Sequence, residues 1–315
     1  MNIKKGVLCI LLSTLLFSSM EVALKSVSGQ FNPVQMTCTR FFIGGLVLLP
    51  FALRAVRNRG KKVTGSTIRY FALLGFFNVV LSMMFYQMAV VYAKASVVAV
   101  LFSSNPVFVI LFAFLLIHEQ VHGNEIAALL LDIAGITVIV CGSNAAAAPA
   151  GFIFAGLSVI FFALYSVYGK KGCSEFGGVT ATCGAFLCGS MELFFFVVAS
   201  HIPFIAVLLR NAGLGIFADV PLSAGYAPSL LPVFLYICIG VTGGGFAFYF
   251  MALENTSPAL ASLVFFIKPA LAPVFAYMFL HEDIGKAMIC GIVLMLIGSL
   301  VSFIPAMLRQ RKSTR

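Results

Sequence analysis

The sequence predicts an all-α integral membrane protein, with ten transmembrane helices arranged as two inverted five-helix repeats. Three observations point there. Of 315 residues, 61% are hydrophobic and only 10% are charged, with a mean hydropathy of +1.08, whereas soluble domains carry roughly 25% charge. The apolar residues gather into ten runs, each near the ~20 residues that a helix needs to cross a bilayer. Long stretches of the first half recur at fixed offsets in the second.

The runs lie at about 7–27, 34–54, 70–91, 96–117, 125–143, 151–169, 179–200, 230–251, 258–280 and 286–305. Hydrocarbon offers no partner to backbone N–H and C=O groups, so apolar runs of this length must be helices. The first, opening MNIKKGVLCILLSTLLFSS, resembles a cleavable leader. It continues to Val27 and has an internal counterpart, so it reads as a retained helix. The first two runs form a tight hairpin, and a long loop at about 201–229 separates the seventh and eighth.

The net charge of +10 follows topology rather than nucleic acid. With a cytoplasmic N-terminus, fourteen basic residues fall on the inner side, among them Lys4, Arg57, Arg59, Lys61, Lys62, Lys170 and Lys171. Four fall outside: Lys25, Lys94, Arg210 and Lys286. That bias is the positive-inside pattern, and it places both termini in the cytoplasm of a cell (plasma or inner) membrane. No aromatic or glycine motif accompanies the basic block, which excludes nucleic acid as a partner. The eight cysteines contain no CxxC pair and read as small apolar fillers.

At an offset of 163, residues 71–138 lie over 234–301 without a gap, matching Tyr86 to Tyr249, Pro106 to Pro269 and His118-Glu119 to His281-Glu282. At an offset of 145, the first two helices match the sixth and seventh, pairing Phe17 with Phe162 and Lys25 with Lys170. The repeats are therefore 1–145 (helices 1–5) and 146–315 (helices 6–10). Five crossings are an odd number, so the second copy enters from the opposite side. Such inverted repeats recur in secondary transporters, with the substrate near the midplane between copies.

The stretches SSMEVALK (18–25), CTRFFIGGL (38–46), YAKASVVAVLFSSNPVFVILFAFLLIHE (92–119) and ALENTSPALASLVFFIKPALAPVFAYMFLHE (252–282) resemble the EamA-type transporters of the drug/metabolite transporter superfamily. The resemblance covers nearly the whole chain in two copies. It implies ten helices and secondary export or exchange of small metabolites. The chain departs from the pattern by placing His before both end-of-helix glutamates and by having no Trp.

HEQVH (118–122) fits the H-E-x-x-H pattern of zinc metalloproteases. Gly123-Asn124 follows at once, and the second copy reads His281-Glu282-Asp283-Ile284-Gly285, without the second His. A polar helix end was duplicated, not a metal site. An intramembrane zinc metalloprotease using His118, Glu119 and His122 stays as one alternative, and a passive channel or scramblase as another.

Ionisable groups inside the bilayer cost roughly 2.5–3.5 kcal/mol each, which makes them functional candidates. Glu21 and Arg40 face each other across the first hairpin, as a gate, a proton site or a structural pair. Lys268 precedes Pro269 in mid-helix, and its repeat partner Asn105 precedes Pro106. Lys268 reads as an anchor for a substrate carboxylate or phosphate, or as a fixed partner of Glu192 or Asp132. Glu192 is a candidate proton carrier. Tyr86, Tyr249 and Tyr165 offer an apolar face and a hydroxyl to an amphipathic solute. The substrate-binding and translocation set is thus Glu21, Arg40, Tyr86, Asn105, Tyr165, Glu192, Tyr249 and Lys268.

The expected function is secondary active transport of a small amphipathic metabolite, such as an amino acid or derivative, by alternating access. No enzyme activity, catalytic residue, metal or cofactor is expected, and no phosphate-binding P-loop occurs. The expected partners are a small-molecule substrate and the lipid bilayer, with proton coupling and a homodimer as open candidates.

Overall fold

A computed structural model describes residues 3–118, 121, 123–142, 149–256, 258–261 and 263–313. Among the described residues there are ten long helices: α1 (Ile3–Ser26), α2 (Pro33–Asn58), α3 (Gly65–Tyr92), α4 (Ala95–Ile117), α5 (Gly123–Gly142), α6 (Pro149–Phe176), α7 (Gly178–Ala199), α8 (Leu231–Asn255), α9 (Leu263–Leu280) and α10 (Lys286–Ser313). Nine are long and apolar enough to cross a membrane, and α10 holds a shorter apolar stretch, Lys286–Val301. Each covers one of the ten apolar runs. Large apolar side chains such as Leu8, Leu11, Leu15, Phe195 and Phe279 point outward, as a lipid-facing belt requires.

Three helices are irregular. In α4 the α-helix stops at Phe102 and restarts at Asn105. Pro106 has no N–H to give to the preceding turn, and the hydroxyls of Ser103 and Ser104 donate to the carbonyls of Ala99 and Leu101 at 2.8 and 2.6 Å. In α3 and α8 the middle widens into π-helix, over Phe76–Met83 and Tyr236–Gly244. Such bulges are rare and cluster at functional sites. These two overlap when the first is shifted by 163 residues.

The packing keeps the same form when the two copies are exchanged. Helix α1 packs on α8 and α9, and its counterpart α6 packs on α3 and α4. Helix α2 packs on its own counterpart α7, and α5 on α10. Backbone approach repeats too. A Cβ on Gly44 of α2 would lie 2.7 Å from Thr242 Cγ2 of α8, and one on Gly189, its counterpart in α7, 2.6 Å from the Gly75 carbonyl of α3. A Cβ on Gly135 would lie 2.8 Å from the Gly291 carbonyl, and one on its counterpart Gly298, 3.0 Å from that of Ala128. Small residues let helices approach closely where lipid supplies no hydrophobic drive.

The helix ends carry the polar residues. His118 closes α4 in the left-handed conformation (φ 51°), and His281 follows α9 with φ 53°. The duplicated His is therefore a helix terminator. Glu119, Gln120 and His122 lie outside the described residues. At the end where α1 gives way to α2, the segment between α7 and α8 folds back over the hairpin. Asn32 Nδ2 donates to the Ile216 carbonyl and Gln35 Nε2 to that of Ala224, both at 2.8 Å. Arg210 and Asp219 pair within this segment.

Candidate functional site

Four of the eight candidates meet in the interior, from four helices. Glu21 of α1 is 1% exposed, Arg40 of α2 and Tyr86 of α3 are fully buried, and Lys268 of α9 is 5% exposed. The Lys268 ammonium sits 2.7 Å from Glu21 Oε1. The Tyr86 hydroxyl donates to the same oxygen. Both donors thus converge on Oε1, while Oε2 is buried with no hydrogen-bond partner among the described residues.

The hairpin neighbours Glu21 and Arg40 do not form the ion pair. Helix α1 lies against α9, so Glu21 is given to Lys268 of the other copy, and the fixed partners considered for that lysine, Glu192 and Asp132, are not used. Arg40 is left with weak contacts: Nη2 lies 3.8 Å from Met83 Sδ, and the guanidinium sits 4.6 Å from the Phe41 ring centroid. Its Nε and Nη1 have no hydrogen-bond partner among the described residues.

Aromatic rings frame the ion pair. The Lys268 ammonium is 5.5 Å from the Phe102 ring centroid, and Phe102 stacks edge-on against Tyr86 at 4.9 Å and Phe162 at 5.1 Å. Phe162 touches Tyr165, whose hydroxyl is 3.3 Å from Thr182 Oγ1. Tyr165 therefore reaches the group through Phe162. Asn105 opens the second half of α4, and its Oδ1 is buried without a partner.

The repeat builds a matching aromatic set around α1. Phe17, Phe265 and Tyr249, the counterparts of Phe162, Phe102 and Tyr86, are joined at 6.1 and 5.2 Å. The aromatic frame is duplicated and the charges are not: Ser166 stands opposite Glu21, Ala185 opposite Arg40 and Asn105 opposite Lys268. Tyr249 belongs to this second, uncharged cup. Glu192 of α7 makes no hydrogen bond or ion pair to the charged group among the described residues, and its Oε2 is buried without a partner.

Sequence reasoning missed Phe102, Asn78 and Gln87. Asn78 and Gln87 are buried amides of α3 whose carbonyl oxygens have no partner. Two amides in an otherwise apolar run were a readable signal. It read Lys25 only as one of the basic residues on the outer side. Lys25 Nζ instead donates to the Val90, Val91 and Ala93 carbonyls at 2.8, 3.1 and 2.8 Å, closing the end of α3. Glu282, beyond the end of α9, accepts from the Ala95 and Ser96 N–H groups at 2.7 and 3.0 Å and from the Ser96 hydroxyl at 2.5 Å. One short elbow between α3 and α4 is thus held by a cation from α1 and an anion from beyond α9. No group of three or more His, Cys, Asp or Glu side chains gathers as a metal site among the described residues.

The EamA-like transporter family model matches twice, over residues 4–141 and 149–304. An uncharacterized transporter of Clostridium kluyveri is 34% identical over 95% of this chain and 93% of its own. Protein PecM of Dickeya dadantii is 25% identical over 78% of this chain and 76% of its own. A crystal structure of a chain 20% identical to this one superposes with a TM-score of 0.63, covering 96% of this chain and 98% of that one. Two family domains, transporter relatives along nearly the full length and a multi-pass helical fold agree: the chain belongs to the EamA-like transporter family and is a membrane transporter.

Proposed function

We propose that the chain is a secondary transporter that moves a small amphipathic, amino-acid-like metabolite by alternating access. The observation that carries this reading is the buried Glu21–Lys268 pair, with Tyr86 on the same oxygen. It joins helix 1 of one copy to helix 9 of the other, where two related halves meet. Ionisable groups at membrane depth are costly and mark functional sites, and a pair linking two bundles opens or closes as they rock.

The elbow held by Lys25 and Glu282 supports gated carriage over an open pore, because it links α1 and the residues after α9 through the α3–α4 turn at one end of the bundle, which we read as the closed end. With N- and C-termini in the cytoplasm of the cell membrane, that closed end is the outer one. The repeats 1–145 and 146–315 are then the two moving bodies, and Glu21 and Glu192 are the carboxylates able to couple protons.

Counterflow in proteoliposomes tests the reading. Vesicles preloaded with unlabelled neutral amino acids should accumulate the same labelled compound several-fold above equilibrium. Equilibration without overshoot for every member of the panel would identify a channel instead.

A further inference from the structure

We propose that Arg40, rather than Lys268, is the group that recognises the solute's anionic end, so that it sets a requirement for a carboxylate. This rests on the transport reading above. Arg40 is fully buried, and a guanidinium stays charged at any physiological pH. Its contacts are a thioether sulfur, which is a weak acceptor, and the Phe41 ring. Nε and Nη1 have no hydrogen-bond partner among the described residues. A buried charge left in this state is strongly unfavourable, and the nearby carboxylate is already occupied: Glu21 Oε1 takes both Lys268 and Tyr86.

The formal charges of Glu21, Lys268 and Arg40 sum to one net positive charge. That charge resides on the residue with spare donors in a planar fork, the geometry that takes a carboxylate through two parallel hydrogen bonds. Lys268 has its anion. Unused acceptors lie on α1 and on α3, the helix that carries Met83. Glu21 Oε2, Asn78 Oδ1 and Gln87 Oε1 are all buried and have no hydrogen-bond partner among the described residues. Asn78 and Gln87 lie about one turn to either side of Met83, the residue that Arg40 touches. A solute with a carboxylate at one end and an ammonium nearby satisfies both surpluses together.

Two measurements test this. The first is the melting temperature of purified protein in detergent without solute. Arg40→Met should leave it unchanged or raise it, because a cation without a counter-charge is removed. Lys268→Met should lower it, because Glu21 loses the 2.7 Å ion pair at its Oε1. Equal losses in the two variants would make Arg40 structural and overturn the proposal. The second is competition in the counterflow assay between each transported amino acid and its carboxamide. The amide should compete about 100-fold less well, or worse, in the wild type. Arg40→Gln should erase that preference, and Arg40→Lys should restore part of it. Equal competition by acid and amide in the wild type would reject the anchor while leaving transport intact. Failure of the whole panel to exchange would reject the transport reading instead, and the melts would still decide Arg40.

Discussion

At the scale of single residues, the Glu21–Lys268 pair makes the firmest demand. Either partner alone would be an uncompensated charge in a low-dielectric interior, so breaking a buried pair from one side costs about 3–5 kcal/mol. Glu21→Gln and Lys268→Met should each lower the melting temperature and abolish exchange. The double variant should recover most of the stability and none of the activity. Additive losses in that cycle would mean that the 2.7 Å contact carries no coupling. The sequence marked Glu21, Arg40, Lys268 and Tyr86 because charge and hydroxyl groups stand out in hydrocarbon. It could not say which charges meet. Pairing depends on the rotation of each helix about its axis and on which neighbour lies alongside, and those follow from non-local packing. Proximity along the chain favoured Glu21 with Arg40, whereas packing of α1 on α9 delivers Lys268.

At the scale of helices, position was legible and shape was not. Length and hydropathy alone located all ten runs, because a bilayer imposes both. The π segments of α3 and α8 left no comparable trace, since no single residue type causes them. The glycine crossings were not legible, because Gly44-Gly45 in the sequence does not say which helix it will meet. The structure gives Gly44 and Gly189 one shared task, the crossing of each second helix with the third helix of the other copy. A Leu at position 189 would drive its side chain into the backbone of Gly75 and the side chain of Val79. Overpacking of this kind costs about 1–3 kcal/mol, and more where backbone must move. Gly189→Leu should therefore reduce the yield of monodisperse protein and its melting temperature. Gly156→Leu, with open space at its Cβ position, is the control. Equal behaviour of the two variants would remove the crossing as a structural constraint.

At the scale of the whole molecule, the duplicated frame holds an unduplicated set of charges. The halves were legible because matches at offsets of 163 and 145 do not arise from composition alone. Which residues tie the α3–α4 elbow was not, because that depends on contacts between α1, the elbow and the residues after α9. The clamp has a direct consequence. Glu282 accepts two backbone N–H groups at the start of α4, where the helix dipole favours an anion, and Lys25 caps the carbonyl end of α3 two residues earlier. Neutralising Glu282 removes the anion from both, so Glu282→Gln should shift the population toward a state open at this end. Ala99, one turn into α4 and fully buried, reports the change. In a variant with the eight native cysteines replaced, Ala99→Cys should react slowly with a membrane-impermeant maleimide added outside intact cells. It should react about tenfold faster with Glu282→Gln, a shift of roughly 1.4 kcal/mol in the opening equilibrium. An unchanged rate would mean that the clamp does not hold the gate. Reaction only in inverted vesicles would place the closed end on the cytoplasmic side and reverse the assignment drawn from the basic residues.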